Sequence, residues 1–311
     1  MPLAMSGSES WVASELGFQN IGPNYWKGED GRLALIAGQE RLDNPQYVKV
    51  FEELARWRAY LGEGGEGRDY TTTNELFTSG KAAFYAAGSW EIAPFTGKVD
   101  FGVMRPPVAK QGDGCFFTDH TDIGMGMNPA SKNKEAAMTF LQWLTTSQFA
   151  ELYTNSLPGF FSLSNHFFEA TNPAAKEMME WRDQCDSTIR VATQILSRGT
   201  PKLGDELAEV SQGVLLGTMA PQAAADRLEQ GLKGWYAPHQ SQQAKALDCQ
   251  CAAPAAVSAA PATVESVIAA PSAAISTELN ASPAPAAVAP SAAASTDVEQ
   301  ALASELEAPQ P

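Results

Sequence analysis

Apolar side chains recur at helical spacing in several long stretches of the chain. In DNPQYVKVFEELARWRAYLG (43–62), Val48, Phe51, Leu54 and Ala55 share one face. Asn44 suits the cap, Pro45 the first helical position, and Gly62 the stop. SKNKEAAMTFLQWLTTSQFAELYTN (131–155) reads as two helices, capped by Ser131 and Ser147, with Ala137, Phe140, Leu141 and Leu144 as the first stripe. NPAAKEMMEWRDQC opens on Asn172–Pro173, and LGDELAEVSQGVLLG and APQAAADRLEQGLKGWY are helix-like. A helix is also expected to begin near Thr73 and to stop at Gly80. Between these lie short strand candidates: KAAFYAA (81–87), DFGVMRPP (100–107) and DIGMGMN (122–128). Short strands alternating with longer helices predict an α/β architecture over residues 1–240.

The pattern stops near residue 240. The last aromatic is Tyr236, and beyond Cys251 the chain is Ala, Pro, Ser, Val and Thr with scattered acids. Such a segment has little to bury and cannot repay its ordering entropy. Residues 241–311 are therefore expected to be a disordered tail, with STDVEQALASELEA (295–308) as a transient helix.

The formal charge of −15 repels phosphate backbones and anionic lipid, which argues against nucleic acid and membrane surfaces as partners. No apolar run reaches the ~18 residues of a transmembrane helix. The opening MPLAMSGSESW has neither the basic nor the apolar region of a signal peptide. Cys249 and Cys251 form a lone C-x-C without the second pair a metal site needs, so no metal or cofactor is expected. Cys115 and Cys185 are either two buried thiols or, in an oxidising compartment, a disulfide.

No G-x-S-x-G, H-E-x-x-H, P-loop or G-x-G-x-x-G is present. The densest polar cluster is FFTDHTDIG (116–124), which holds Asp119, His120 and Asp122. It reads either as a loop satisfying its own backbone or as part of a site. In GKAAFYAAGSWE (80–91) a tryptophan follows Gly-Ser where a strand ends. A sugar offers apolar C–H faces for indole and a rim of hydroxyls for carboxylates, so Trp90 and the 116–124 loop together fit sugar binding. Trp11 and Trp26 add exposed-looking aromatics, whereas Trp57, Trp143 and Trp181 sit on helix faces and are expected in the core.

The ordered segments NELFTSGKAAFYAAGSWEIAPF, DFGVMRPPV and TDIGMGMNPASKNKEAAMTFLQWLTTSQFAELYTNSLPGF resemble the carbohydrate-binding, maltose-binding-like (family 1) extracellular solute-binding proteins of bacterial ABC importers. The resemblance spans about residues 2–236. It implies a periplasmic-binding-protein-like (type II) α/β fold, two lobes with sugar in the cleft between them, and no catalysis. Its partners would be a mono- or oligosaccharide and the permease subunits of an ABC importer, and its compartment the periplasm. The resemblance makes Trp90 the residue that stacks on sugar and Trp11 a second aromatic contact, with Asp119 and His120 as hydroxyl partners. Asp122 becomes either a ligand contact or a hinge residue.

By the same resemblance, residues 2–118 and about 165–236 form the second lobe, and 122–164 is an excursion returning to the first lobe. The start of the chain then matches the point of entry into the second lobe. The expectation is a truncated or split binding protein, with a separately encoded N-terminal lobe as a further partner. Two readings compete with it. One is a glycoside hydrolase that uses Asp119 or Asp122 with Glu91. The other is a non-transporting remnant or interaction protein in which the acidic tail matters most.

Overall fold

The computed structural model describes residues 1–119, 123–162 and 168–240. The 241–311 segment, with its expected helix and Cys249 and Cys251, lies outside the described residues. In chain order the elements that position the site are β1 (Leu3–Ala4), the π-type helix α1 (Val12–Phe18), α2 (Gly28–Ile36), α3 (Pro45–Trp57), α4 (Tyr70–Thr78) and β2 (Phe84–Tyr85). They continue with β3 (Phe116–Thr118), α5 (Lys134–Trp143), α6 (Ser147–Ser156), α7 (Pro173–Glu180), β4 (Asp186–Thr188), α8 (Leu203–Leu215) and α9 (Pro221–Trp235).

The main core is helical. α8 packs on α1, α3 and α9, and α9 packs on α3. The expected stripe on α3 is rotated by about one position. Tyr47, Val50, Phe51 and Leu54 are fully buried, while Ala55 is only half-buried. Tyr47 draws the helix round because its ring stacks on Trp26 at 5.2 Å and its hydroxyl donates to Glu40 at 2.9 Å. Trp26 is thus a core residue, 3% exposed, and not the surface aromatic its sequence context suggested. Phe18 and Phe51 meet at 4.4 Å in the centre of the same cluster.

Helix ends follow local hydrogen-bond chemistry, with some shifts from expectation. Asp69, not Thr73, begins α4: its carboxylate accepts from the Thr72 amide at 2.7 Å. Thr146 caps α6 in place of Ser147, accepting from the Phe149 amide, and Asn172 caps α7 as predicted. Ser131 lies upstream of α5 and accepts from the Asn133 amide, while Asn44 makes no side-chain cap bond. Gly80 takes the left-handed conformation (φ 71°) that closes α4.

Two parallel strand pairs form, with Leu3 opposite Phe84 and Phe116 opposite Asp186. The strands expected at 100–107 and 122–128 are not formed among the described residues. Both stretches are interrupted by Gly or Pro, and a strand without a hydrogen-bonded neighbour has no ladder to hold it. In α5 and α6 the aromatics Phe140, Trp143, Phe149 and Tyr153 form a contiguous ring stack. Phe140 and Leu152 are about half exposed.

The apolar stripe of α9 carries one charge, Glu229, 1% exposed. His239, also 1% exposed, places Nδ1 3.1 Å from both Glu229 oxygens and Nε2 2.8 Å from the Leu35 carbonyl. Both ring nitrogens face acceptors, so both must donate, and the ring is an imidazolium. Burial alone lowers its pKa, but the bonds to Glu229 and Leu35 prevail and hold it above the ordinary 6.5. Arg41 and Lys233 lie 3.7 Å from the same carboxylate, and the Leu42 amide donates to it.

Two outcomes follow. Phe51→Ala leaves a cavity at a fully buried position of the core and costs roughly 3–5 kcal/mol, read as a lower urea midpoint. His239→Gln removes a buried ionic partner and costs roughly 3 kcal/mol at about pH 6. Because the folded pKa is raised, the charge contribution is complete below the unfolded value of 6.5 and is lost as pH rises through the folded value. The gap between wild type and variant therefore narrows in thermal melts as pH rises above about 6.5.

Candidate functional site

A cleft of about 1390 Å³ runs between the 84–90 segment, the 104–107 and 117–119 segments and the facing side chains of α6. Its wall is largely aromatic: Trp57, Tyr85, Trp90, Phe149, Tyr153 and Trp181 all line it. Arg105, Arg182, Arg190, Glu53 and Asp119 supply its charges among the described residues.

Trp90 is fixed from below. Its indole folds back over the Gly88 backbone so closely that a Cβ on Gly88 would lie 2.0 Å from the ring, so no larger residue fits there. Gly159 approaches the same turn, and a Cβ there would meet the Ser89 carbonyl at 1.8 Å. The indole Nε1 donates to the Tyr70 hydroxyl at 2.9 Å. That hydroxyl in turn donates to Glu91 Oε1 at 2.5 Å, and Asn74 donates to Oε2 at 3.3 Å. Tyr85 donates to Asn74 and closes the network. Burial, reinforced by the bond to Glu91, pushes the Tyr70 phenol up to about 12, so it remains a donor at physiological pH.

The candidates named from sequence therefore divide. Trp90 lines the cleft. Glu91 is 5% exposed, lies beneath Tyr70 and does not line the cleft. Trp11 is 38% exposed but is not part of the cleft wall; its ring rests on Tyr70 at 5.0 Å. These three residues converge on Tyr70, which the sequence reading did not single out. A buried carboxylate flanked by aromatics was the available signal.

Asp119 lines the cleft at the end of β3. Its amide donates to the Thr188 carbonyl at 2.7 Å and its carboxylate takes Arg182 Nη2 at 2.6 Å. The pair is held where β3 runs beside β4, just past a disulfide between Cys115 and Cys185. His120 and Asp122 lie outside the described residues. Trp57 and Trp181, expected in the core, are half-buried and face the cleft, while Trp143 is half-buried in the α5–α6 stack. The helix spacing that suggested core positions is equally the spacing of a cleft wall. Among the described residues no group of three or more His, Cys, Asp or Glu is placed to hold a metal ion.

Arranged this way, the cleft can take a flat, partly apolar ligand with a polar rim. A fixed indole offers a stacking face, and a paired carboxylate and guanidinium offer acceptors and donors together.

The chain is similar to known solute-binding proteins. Residues 3–151 match the family model described as bacterial extracellular solute-binding protein. A maltotriose-binding protein of Pyrococcus abyssi (strain GE5 / Orsay) is 29% identical over 114 residues, covering 35% of this chain and 24% of its own length. A chitin oligosaccharide binding protein superposes with a TM-score of 0.61 at 19% identity, over 80% of this chain and 60% of that one. A family 1 extracellular solute-binding protein from Bifidobacterium longum subsp. infantis superposes with a TM-score of 0.58 at 17% identity, over 76% of this chain and 61% of its own. The chain thus spans about a quarter of the curated relative and about 60% of these solved structures. Its fold is the mixed α/β, periplasmic-binding-protein-like architecture, and residues 3–151 are similar to the bacterial extracellular solute-binding proteins.

Proposed function

We propose that the cleft binds an oligosaccharide, stacks one ring on Trp90, and presents it to the transmembrane subunits of an ABC importer. The observation that carries this reading is the indole itself, locked by Gly88 and by its bond to Tyr70 on the wall of a large aromatic cleft. Asp119 and Arg182 are the hydroxyl partners in this reading, the carboxylate accepting and the guanidinium donating. The names of the similar proteins, maltotriose-binding and chitin oligosaccharide binding, favour an oligosaccharide over a single sugar. Residues 2–118 and about 165–236 would form one lobe of the cleft and 122–164 would contribute to the other. A periplasmic or extracellular location suits both the family and a disulfide between Cys115 and Cys185.

A glycosidase reading has less support. Hydrolysis needs two carboxyl groups flanking the scissile bond, yet Glu91 lies beneath Tyr70 and Asp119 is paired with Arg182.

Titration calorimetry of the full chain against a panel of neutral oligosaccharides tests the proposal. Binding is expected, and Trp90→Ala should weaken it about tenfold or more, since stacking contributes on the order of 1 kcal/mol beyond area burial. No binding to any member, or binding unchanged by Trp90→Ala, would reject the site. Tyr70→Phe takes one donor from buried Glu91 and one acceptor from Trp90. It should cost about 1–3 kcal/mol in denaturant unfolding and weaken sugar binding through a less fixed indole.

A further inference from the structure

We infer that one end of the cleft is a subsite for a carboxylate-bearing sugar, a hexuronate unit, and that Arg105 is its recognising residue; this rests on the oligosaccharide reading of the cleft. The chain as a whole carries −15, yet the described residues lining the cleft bear Arg105, Arg182 and Arg190 against Glu53 and Asp119. Most of these charges already have partners. Arg182 is held by Asp119 at 2.6 Å, Arg190 by Glu15 at 2.6 Å, and Glu53 takes Arg56 at 2.5 Å.

Arg105 differs from these. Its Nη1 donates to Gln184 Oε1 at 3.1 Å and lies 3.2 Å from Cys185 Sγ and 3.5 Å from Cys115 Sγ. All three are neutral groups. Among the described residues no carboxylate pairs with this guanidinium, and its Nε and Nη2 have no hydrogen-bond partner. The fork is therefore tethered along one edge and open along the other. A planar guanidinium held in this way presents two parallel N–H donors, the geometry that matches a carboxylate with both oxygens engaged. A hydroxyl offers one oxygen and no charge and cannot use that edge fully.

The surroundings fit a ring-bearing acid better than a free anion. Trp181 lines the cleft beside Arg105, and the same two residues also border an adjoining recess of about 470 Å³. The acids Glu177 and Glu180 line that recess but not the cleft. Lys176 lines the recess as well, and a sugar stacked on Trp181 with its carboxylate toward Arg105 meets on the cleft side the one guanidinium that no described carboxylate pairs.

The test uses the full chain and matched pairs of ligands by calorimetry: maltotriose against maltotriose with its terminal C6 oxidised to the carboxylate, and galactobiose against digalacturonate. At least one acid should bind about tenfold more tightly than its neutral counterpart, and that advantage should shrink in about 0.5 M salt, because an exposed charge is screened. Arg105→Gln should bring the ratio close to one, and Arg105→Lys, which keeps the charge without the fork, should restore part of it. A wild-type ratio near one, with neutral sugars bound, would overturn the uronate subsite and leave the cleft reading standing. An acid preference that survives Arg105→Gln would overturn the assignment to this residue. Failure of every ligand, acidic and neutral, would overturn both.

Discussion

A single phenolic hydroxyl organises the aromatic wall of the cleft. Tyr70 donates to a carboxylate that is almost fully buried and accepts from the indole above it. Glu91 needs donors wherever it is removed from water, and Tyr70 and Asn74 supply them. The orientation of Trp90 is set by meeting that need, and it is narrowed further by Gly88 beneath the ring. Glu91, a ligand-binding candidate in sequence and a catalytic acid only in the competing hydrolase reading, is thus a foundation for the indole beside it.

The polar wall is built on different physics. Asp119 follows directly on the parallel pairing of β3 with β4 and on the disulfide immediately before it, and Arg182, in the turn ahead of β4, is held by its bond to Asp119. Each wall is held by bonds within the protein, Trp90 by Tyr70 and Arg182 by Asp119. Binding to such a surface loses less rotamer freedom than binding to an unheld one, and pre-organisation of this kind is what separates tight from weak interfaces of equal area.

Much of the fold was legible in the sequence because long amphipathic helices announce themselves. The spans at 45–57 and 221–235 follow from apolar periodicity and a Pro start, and 203–215 from apolar periodicity alone. The rotation of α3 was not legible, since Tyr47 reads as amphipathic until Trp26 and Glu40 are in place around it. The strands expected at 100–107 and 122–128 failed for a related reason: pairing depends on a neighbour that local sequence does not name. In the site, Trp90 was legible from the Gly-Ser before it. Tyr70, Arg105 and Arg182 were not, because each acquires its meaning from residues 20 to 79 positions away in the chain.

Among the described residues, the disposition of carboxylates favours the proposed recognition role over hydrolysis. A general acid or nucleophile must keep an oxygen available to the reacting atoms and be free to change its protonation state. Glu91 has its two oxygens committed to Tyr70 and Asn74, and Asp119 is committed to Arg182. A paired carboxylate loses little as a binding group, for it can still accept from a ligand hydroxyl through its remaining lone pairs while Arg182 donates to the next oxygen on the same ring. In the proposed reading, the same pairing that holds Asp119 in place makes it a fixed contact for a polyhydroxylated ligand. The acid partners of Arg182 and Arg190 also leave Arg105 as the described cleft cation not bound to an acid of the protein itself, which is the asymmetry a charged ligand can use.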